Sequence, residues 1–429
     1  MGSPIRLGIA GLGSVGTGVV RIIQKRAPLL AARAGRSVVI SAISARVRGR
    51  DRGVNLDGLP WESDPVRLAE RADVDVFVEL MGGEGDPAKS AIEVALRAGK
   101  HVVTANKALL AHHGQALAVL AESRRCCLRF EAAVAGGIPV IKALGEGLAA
   151  NRITRVMGVM NGTCNYILTR MQAARLPYEE VFAEAQALGY LEADPTLDVG
   201  GIDAAHKLAL LAAMAFGVRV DFDRVQIEGI ARVSTEDIFL AAALGYRIKL
   251  LGIARQSDAG LEQRVSPCLV SSDSFLGKIE GSTNMVVIEG DAVGQVVLSG
   301  PGAGSSPTAS AVLGDVCDIA CHAVRPWVFG QPASALVAAP AVQGAPAVPF
   351  YLRMSVQDRP GVLAAIATAL ANESISIDRM RQPRHDAPIT PLVIITHKTQ
   401  RARLDRAVDA LQGQDVLTSP PIALRIEDL

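Results

Sequence analysis

The 429-residue chain has almost no excess of charge, because 44 Lys and Arg against 43 Asp and Glu leave a formal +1. Without a basic surplus nothing marks it for a polyanion, so nucleic acid and an anionic membrane surface are excluded as expected partners. Cysteine is scarce as well. Six thiols, none in a paired C-x-x-C, exclude a disulfide scaffold and a zinc ribbon. Cys126 and Cys127 are adjacent, and Cys317 and Cys321 fall one helical turn apart. Free thiols behave as small hydrophobes, so these four are expected to be buried, in a chain of the reducing cytoplasm. The N-terminal MGSPIRLGIAG lacks the apolar stretch and cleavage site of a secretory leader. A long hydrophobic run is missing too. The uncharged stretch from Pro326 to Leu352 is broken by Pro326, Pro332, Pro340, Pro346 and Pro349 and by Gly330 and Gly344. It cannot be a continuous spanning helix and reads as a linker over residues 326–349.

What is present is the composition of a globular protein, with 49% hydrophobic and 20% charged residues. At about 150 residues per domain, the length suits two to four domains with real cores. Apolar strand patterns at Ile5–Ala10, Val38–Ala45, Val74–Leu80 and His101–Thr104 alternate with helical stretches running to about Arg26 and over Ala88–Ala98. That alternation predicts βαβ units and a parallel sheet. From Ala133 the pattern changes to glycine turns, a strand at Ile153–Val159 and alanine-rich helices at Tyr178–Leu188 and Ile202–Phe216, an α+β domain over 133–300. A glycine turn near Ser299 feeds a helix within 301–325, expected to pack back on the first domain, 1–132. Beyond the linker, a strand at Phe350–Val356 and the amphipathic DRPGVLAAIATALA open a last module over 350–429.

Gly11, Gly13 and Gly16 form G-x-G-x-x-G directly after a strand and at the start of a helix. The chemistry behind that spacing is a tight turn, close backbone approach to a pyrophosphate, and close packing of helix on strand. Free N–H groups and a partial positive charge at the helix N-terminus complete a dinucleotide site. The second strand should end on an acid if the ribose 2′-hydroxyl is read, yet no acid occurs before Asp51. Arg46, Arg48 and Arg50 stand there instead. They suit a 2′-phosphate and predict NADP, with NAD use possible, unless they form only a solvated loop.

HVVTANKALLA sets Asn106 and Lys107 just past the carboxyl end of a parallel strand, where open α/β sheets bind ligands. Further on, Asp203 and Lys207 are four apart and share a helix face. On a surface this would be an ordinary ion pair of little worth. Here the helix is almost wholly apolar from Leu208 to Phe216, so the pair must face something polar, such as a cleft. Glu192 and Asp194 precede it in a Pro/Gly-rich loop that could reach the same cleft.

In this order, GLGSVG, TANKALL, FEAAVAGGIPVIKAL, NGTCNYIL, LGYLEADPTLDVGGIDAAHKLALLA and SGPGAGSSPTASAV resemble the homoserine dehydrogenase family, over about residues 5–325. SVQDRPGVLAAIATALANESISIDRMRQ resembles an ACT regulatory domain. The resemblance implies an α/β protein: a Rossmann-type parallel sheet, an α+β catalytic and dimerisation domain, and a ferredoxin-like ACT domain. With no kinase segment ahead of the first domain, the monofunctional type is expected. The implied reaction interconverts L-homoserine and L-aspartate 4-semialdehyde with NAD(P), in threonine, methionine and isoleucine biosynthesis. Lys207 matches the proton-transferring lysine, Glu192 and Asp203 the substrate-binding acids, and Lys107 a second active-site lysine. Gly13, Ser14 and Val15 lie in the cofactor turn, with Gly189 and Gly304 as further cofactor contacts. A sodium ion is implied at Glu131 and the carbonyls of Val134, Gly136 and Ile138, oxygen ligands that suit a hard cation. Threonine feedback at the Pro360–Gly361 turn and a homodimer or homotetramer are implied as well. Two other readings compete. A semialdehyde-oxidising dehydrogenase would need a cysteine nucleophile, for which Cys164 is the candidate. A non-catalytic amino-acid sensor would be expected to have lost Lys107, Asp203 or Lys207, and all three are present.

Overall fold

Two sheets organise the chain in the computed structural model, which describes residues 2–191, 194–321, 327–340, 342, 346–383, 388–412 and 416–428. The first is built from β1 (Ile5–Ala10), β2 (Val38–Ser44), β3 (Trp61–Glu62), β4 (Val76–Glu79), β5 (His101–Thr104) and β6 (Leu128–Arg129). All neighbours pair in parallel, in the order β3-β2-β1-β4-β5-β6. The chain direction of travel reverses between β1 and β4. At such a switch point the loops leaving the two strands part and leave a crevice at their carboxyl ends.

Helices cover both faces, as a sheet of nearly continuous apolar strands requires. On one side the helix Ser14–Ala34 packs against the helix Ser305–Ala320, through Val19, Val20 and Ile23 and through Ala309, Val312, Leu313 and Val316. The approach is close because position 18 is glycine: a Cβ there would lie 2.8 Å from the Ser305 carbonyl oxygen. The later helix therefore belongs structurally with the first sheet. The earlier one runs on past Arg26, where the backbone leaves helical geometry two residues before Pro28, as a proline in a helix demands.

The second sheet joins β7 (Ile153–Val159), β8 (Gln226–Ile227), β9 (Tyr246–Ser257), β10 (Gly260–Ser271), β11 (Thr283–Gly290) and β12 (Gly294–Pro301) to β13 (Phe350–Gln357), β14 (Ile377–Arg381), β15 (Ile389–Thr396) and β16 (Ile422–Glu427). Its order is β12-β11-β7-β9-β10-β16-β13-β15-β14, with β8 on β10. The C-terminal module is therefore fused edge to edge with the middle of the chain. β16 lies parallel to β10 and antiparallel to β13, so that Arg425 pairs with Cys268 on one side and Phe350 on the other.

Two expectations need correction. The described residues of 326–349 are no loose tether: Val328, Phe329, Ala333 and Leu336 are buried in the core around the Ile202–Phe216 helix, and the Glu122 carboxylate accepts the Ala333 N–H at 2.8 Å. Uncharged, proline-rich chain can pack as well as span. Of the four paired thiols only Cys126 is buried; Cys127 and Cys317 are half-buried and Cys321 is exposed, because it falls just beyond the last turn of its helix. No helix among the described residues is long and apolar enough to cross a membrane.

Asp237 is a buried anchor of the fusion. Asp237 is fully buried; it caps its helix Thr235–Ala243 through Ser234 and binds Arg353 Nε at 2.5 Å and the Tyr351 hydroxyl at 3.2 Å, both on β13. Removing one partner of a buried pair strands the other charge and costs about 3–5 kcal/mol. Asp237→Ala is therefore expected to lower stability by about 3 kcal/mol or more in chemical denaturation, with Arg353→Met losing less.

Candidate active site

The glycine turn sits at the switch point. Gly11 takes φ +99°, and a Cβ there would lie 2.4 Å from the Leu80 carbonyl oxygen; one on Gly16 would lie 2.0 Å from the Gly11 oxygen. Only glycine fits either place. Gly13 is different. A Cβ there meets nothing within 4 Å, so the open space lies where a ligand phosphate would approach the backbone. Gly13 is also the N-cap of the Ser14–Ala34 helix and gives it no side-chain cap, which leaves the first amides for an anion. A second uncapped helix start, at Gly304, lies beside it: Ser305 Oγ donates to the Ser14 carbonyl at 2.5 Å.

Arg46, Arg48 and Arg50 are exposed on the loop after β2. The order of that loop comes from Arg52, which sequence reasoning passed over. Its guanidinium donates to the Val47 carbonyl, to the Arg50 carbonyl at 2.8 Å and to the Leu12 carbonyl at 3.3 Å, and stands 5.5 Å from the Trp61 ring centre. The arginine loop is thus tied to the glycine turn.

Lys107 is aimed by its neighbour. Asn106 caps the helix Lys107–Ser123, accepting the Leu109 N–H at 3.1 Å and donating to the Gly83 carbonyl at 2.8 Å. Thr104 accepts the Asn106 N–H and donates to the buried Glu79 at 2.5 Å. Burial pushes the Glu79 carboxyl up against these hydrogen bonds.

From the other side comes the helix Ile202–Phe216, held between left-handed Gly201 and Gly217. Buried Lys207 donates to Asp203 Oδ2 at 2.7 Å and to the Met160 carbonyl at 2.8 Å, while Lys107 Nζ lies 3.2 Å from Asp203 Oδ1. Asn161, the cap of the helix Gly162–Ala174, donates to Asp203 at 2.9 Å and to Asp198 at 2.8 Å. Burial alone would raise the Asp203 carboxyl. The charges of Lys207 and Lys107 and the hydrogen bonds of Lys207 and Asn161 outweigh it and hold the group well below the usual carboxylate range. Asn284 Nδ2 shares the Met160 carbonyl at 3.0 Å.

A cavity of about 500 Å³ brings these parts together: Val15, Lys107, Val134, Gly189, Asp203, Lys207 and Gly304 all line it, with Asn161, Asp198 and Asn284. Lys207 faces this cavity beside the glycine turn, and not bulk solvent. Glu192 lies outside the described residues. Asp194 is a correction: it is exposed and occupied in capping Thr196 at 3.0 Å. Cys164 is fully buried, donates to the Asp198 carbonyl at 3.3 Å, and is pushed far up in pKa by burial and by the carboxylates of Asp198 and Asp203. A thiol so held is no nucleophile. Asn161, Asp198 and Asn284 were missed because their pairing depends on chain segments 37 to 124 residues apart; only the Asn161 cap had a local signal.

Next to the cavity, Glu131 accepts the amides of Ile141 at 2.9 Å and Lys142 at 2.8 Å, and burial pushes its carboxyl up. Gly136 has φ +56°, with the Gly302 carbonyl 2.5 Å from where its Cβ would be. Ile138 offers its carbonyl to the Val140 amide at 2.8 Å.

A dinucleotide turn at a switch point, opening on a cavity with a buried lysine–aspartate–lysine cluster, defines an NAD(P)-dependent oxidoreductase. Comparison with known proteins agrees: the family profile "Homoserine dehydrogenase, NAD binding domain" matches residues 11–131, "Homoserine dehydrogenase" residues 139–317, and "ACT domain" residues 350–415. The homoserine dehydrogenases of Pseudomonas aeruginosa and Mycobacterium tuberculosis are 41% and 43% identical, over 99% of this chain and 99% and 98% of theirs. A homoserine dehydrogenase crystal structure from Thiobacillus denitrificans superposes with TM-score 0.92 at 41% identity, covering 100% of this chain and 99% of that one. A hyperthermophilic archaeal homoserine dehydrogenase in complex with NADPH gives TM-score 0.64 at 27% identity, over 75% of this chain and 99% of that one. The chain belongs to the homoserine dehydrogenase family.

His206, next to Lys207 in sequence, packs against Phe222 and His112. Burial, His112 and Lys107 lower its pKa from 6.5 to about 4. Protonation therefore favours the unfolded chain. The stabilising contribution of neutral His206 is complete above about pH 6.5 and is lost as pH falls toward about 4. Stability measured across that window should fall less steeply in His206→Gln.

Proposed function

We propose that this enzyme interconverts L-homoserine and L-aspartate 4-semialdehyde with Lys207 as the group that takes the hydroxyl proton and returns one to the carbonyl oxygen in the reverse direction. The observation that carries this reading is the buried Lys207 amino group, tied to Asp203 and Met160 in a cavity shared with the glycine turn. Taking the hydroxyl proton requires the neutral amine, which becomes the ammonium and then releases that proton to solvent; in the reverse direction the ammonium gives its proton to the carbonyl oxygen. Lys107 orients the reacting oxygen and, with Lys207, fixes Asp203. Asp203, together with Glu192 by family resemblance, supplies negative charge for the substrate ammonium. When bound, the nicotinamide dinucleotide supplies the hydride acceptor or donor.

Gly11, Gly13, Ser14, Val15 and Gly16 cradle the pyrophosphate, with Gly189 and Gly304 as further contacts. Arg46 and Arg48 take the 2′-phosphate of NADP; the tie between their loop and the glycine turn through Arg52 supports this. The carboxylate of Glu131 with the carbonyls of Val134, Gly136 and Ile138 is a hard-oxygen set that fits a sodium ion, whose charge would offset the buried carboxylate. It would brace the turn that leads to the cavity wall at Val134. We further read a dinucleotide-binding domain at 1–132, completed by the helix within 301–325, a catalytic domain at 133–300, a connecting segment at 326–349 and an ACT domain at 350–429. The biological setting proposed is cytoplasmic threonine, methionine and isoleucine biosynthesis by a homodimer or homotetramer, with threonine feedback through the ACT domain; the names of its relatives support the activity, and the ACT match supports an amino-acid effector.

Lys207→Ala should lower kcat for homoserine oxidation by about 10²–10⁴-fold while dinucleotide affinity by fluorescence titration stays within a factor of two or three. Turnover left near the wild-type rate would sink the assignment. Arg46→Ala combined with Arg48→Ala should lower kcat/KM for NADP by about tenfold or more and leave that for NAD unchanged, since a charge-assisted hydrogen bond contributes about 1.5–3 kcal/mol. A wild-type enzyme that strongly prefers NAD would contradict it.

A further inference from the structure

The amine of Lys249 is buried, yet lies outside the cluster around Asp203. β9 is buried from Ile248 to Ala254, and Lys249 is the charged residue in an otherwise uncharged run. Burial, with the charge of Arg247, lowers its pKa from 10.5 to about 8, although Glu280 pulls the other way. Among the described residues its hydrogen-bond partners are uncharged oxygens: Asn165 Oδ1 at 2.9 Å and the Ile279 carbonyl. An apolar side chain would fill that place without desolvating an amine. What the amine adds is N–H donors for two acceptors at once, and it has them whether protonated or neutral.

Both acceptors lead to the wall of the active-site cavity. Asn165 lies near the start of the helix Gly162–Ala174, and its Nδ2 donates to the Gly281 carbonyl at 2.8 Å. Ile279 and Gly281 belong to the chain between the short helix Phe275–Lys278 and β11. Lys249 and Asn165 therefore hold that chain at two carbonyls. Just beyond it, Ser282 and Asn284 line the cavity of about 500 Å³, as Gly162 and Thr163 do from the helix start. The two stretches are in contact: a Cβ on Gly162 would lie 2.6 Å from the Ser282 carbonyl oxygen and 3.2 Å from Asn284 Oδ1. Asn284 Nδ2 in turn shares the Met160 carbonyl with Lys207. Lys249 and Asn165 are themselves set back from the lining.

We propose that Lys249 is a positioning residue for substrate binding: through Asn165 and the 279–281 chain it fixes Ser282 and Asn284 against the start of the Gly162–Ala174 helix, and so sets the shape of the substrate side of the cavity. This rests on the reading of that cavity as the homoserine site. Lys207 keeps its own bonds to Asp203 and Met160, and the glycine turn belongs to the other sheet. The effect of the latch therefore falls on homoserine binding, and not on proton transfer or on the dinucleotide.

Steady-state kinetics and chemical denaturation of the full-length protein test it, in Lys249→Met, in Asn165→Leu and in the two combined. Lys249→Met is expected to raise KM for homoserine about tenfold, with kcat within about threefold and KM for the dinucleotide within about twofold of wild type. Asn165→Leu should shift the same constant in the same direction. In the double variant both ends of the Lys249–Asn165 bond are apolar, so part of the lost stability returns. The homoserine KM should stay raised there, because nothing holds the 279–281 chain. The double variant also carries the test if either single variant does not fold. A homoserine KM that stays at the wild-type value in Lys249→Met, or that returns to it with stability in the double variant, would overturn the latch and leave Lys249 a purely structural residue. If wild type oxidises homoserine and Lys207→Ala abolishes it, that result overturns the latch alone. A wild-type enzyme without homoserine turnover would overturn the latch and the proposed function together.

Discussion

The site is organised around one carboxylate that cannot leave its place. Asp203 is buried, and its charge is tolerable only because Lys207, Lys107 and Asn161 converge on it. A buried charge without partners would be far more costly than any single contact could offset. The same four groups come from the Ile202–Phe216 helix, the start of the Lys107–Ser123 helix and the cap of the Gly162–Ala174 helix. Docking the Ile202–Phe216 helix and positioning the two lysines therefore rest on the same contacts. Asn106 and Glu79 extend that polar network back to the sheet edge, with each amide and hydroxyl engaged.

Charge is used differently at the far end of the second sheet. There the C-terminal strand enters between β10 and β13 and brings Arg425 and Glu427 against Glu262, Arg264 and Arg255. Buried ion pairs of this kind add little net stability over apolar packing, but losing one member is severe. They fix which strand pairs with which, and in what register, more than they hold the sheet together. Main-chain pairing from β16 through β10 and β9 reaches β7, whose last residues lead into Met160 and Asn161. The ACT module and the residues that lead into the candidate site thus sit on one hydrogen-bonded sheet, and the C-terminal module is no detachable appendage.

Much of this was legible in the order of residues. The first sheet followed from apolar strands alternating with helices, the turn from Gly11, Gly13 and Gly16, and the Ile202–Phe216 helix from its apolar run, because each is a local pattern with a fixed period. Asp203 and Lys207 stood out for the same reason: two charges on a helix with no polar face must meet something polar. Local patterns also misled. Asp194 looked like a cleft acid and is a turn cap, and the proline-rich stretch looked like a tether although Phe329 and Leu336 are core residues. Neither periodicity nor charge tells whether a segment without helix or strand pattern will find an apolar surface to lie on.

The sequence by itself determined the parallel dinucleotide fold, the family and the Asp203–Lys207 pair on one helix face, since these depend on spacings within a few turns or strands. Tertiary structure alone decided that Lys107 pairs with Asp203 Oδ1, that Asn161 bridges Asp198 and Asp203, that Arg52 ties down the arginine loop, and that β16 pairs with β10. Each of those is a contact across tens to more than a hundred residues. Its partner is selected by the burial of charge in a finished interior, a condition that does not exist until the chain has folded.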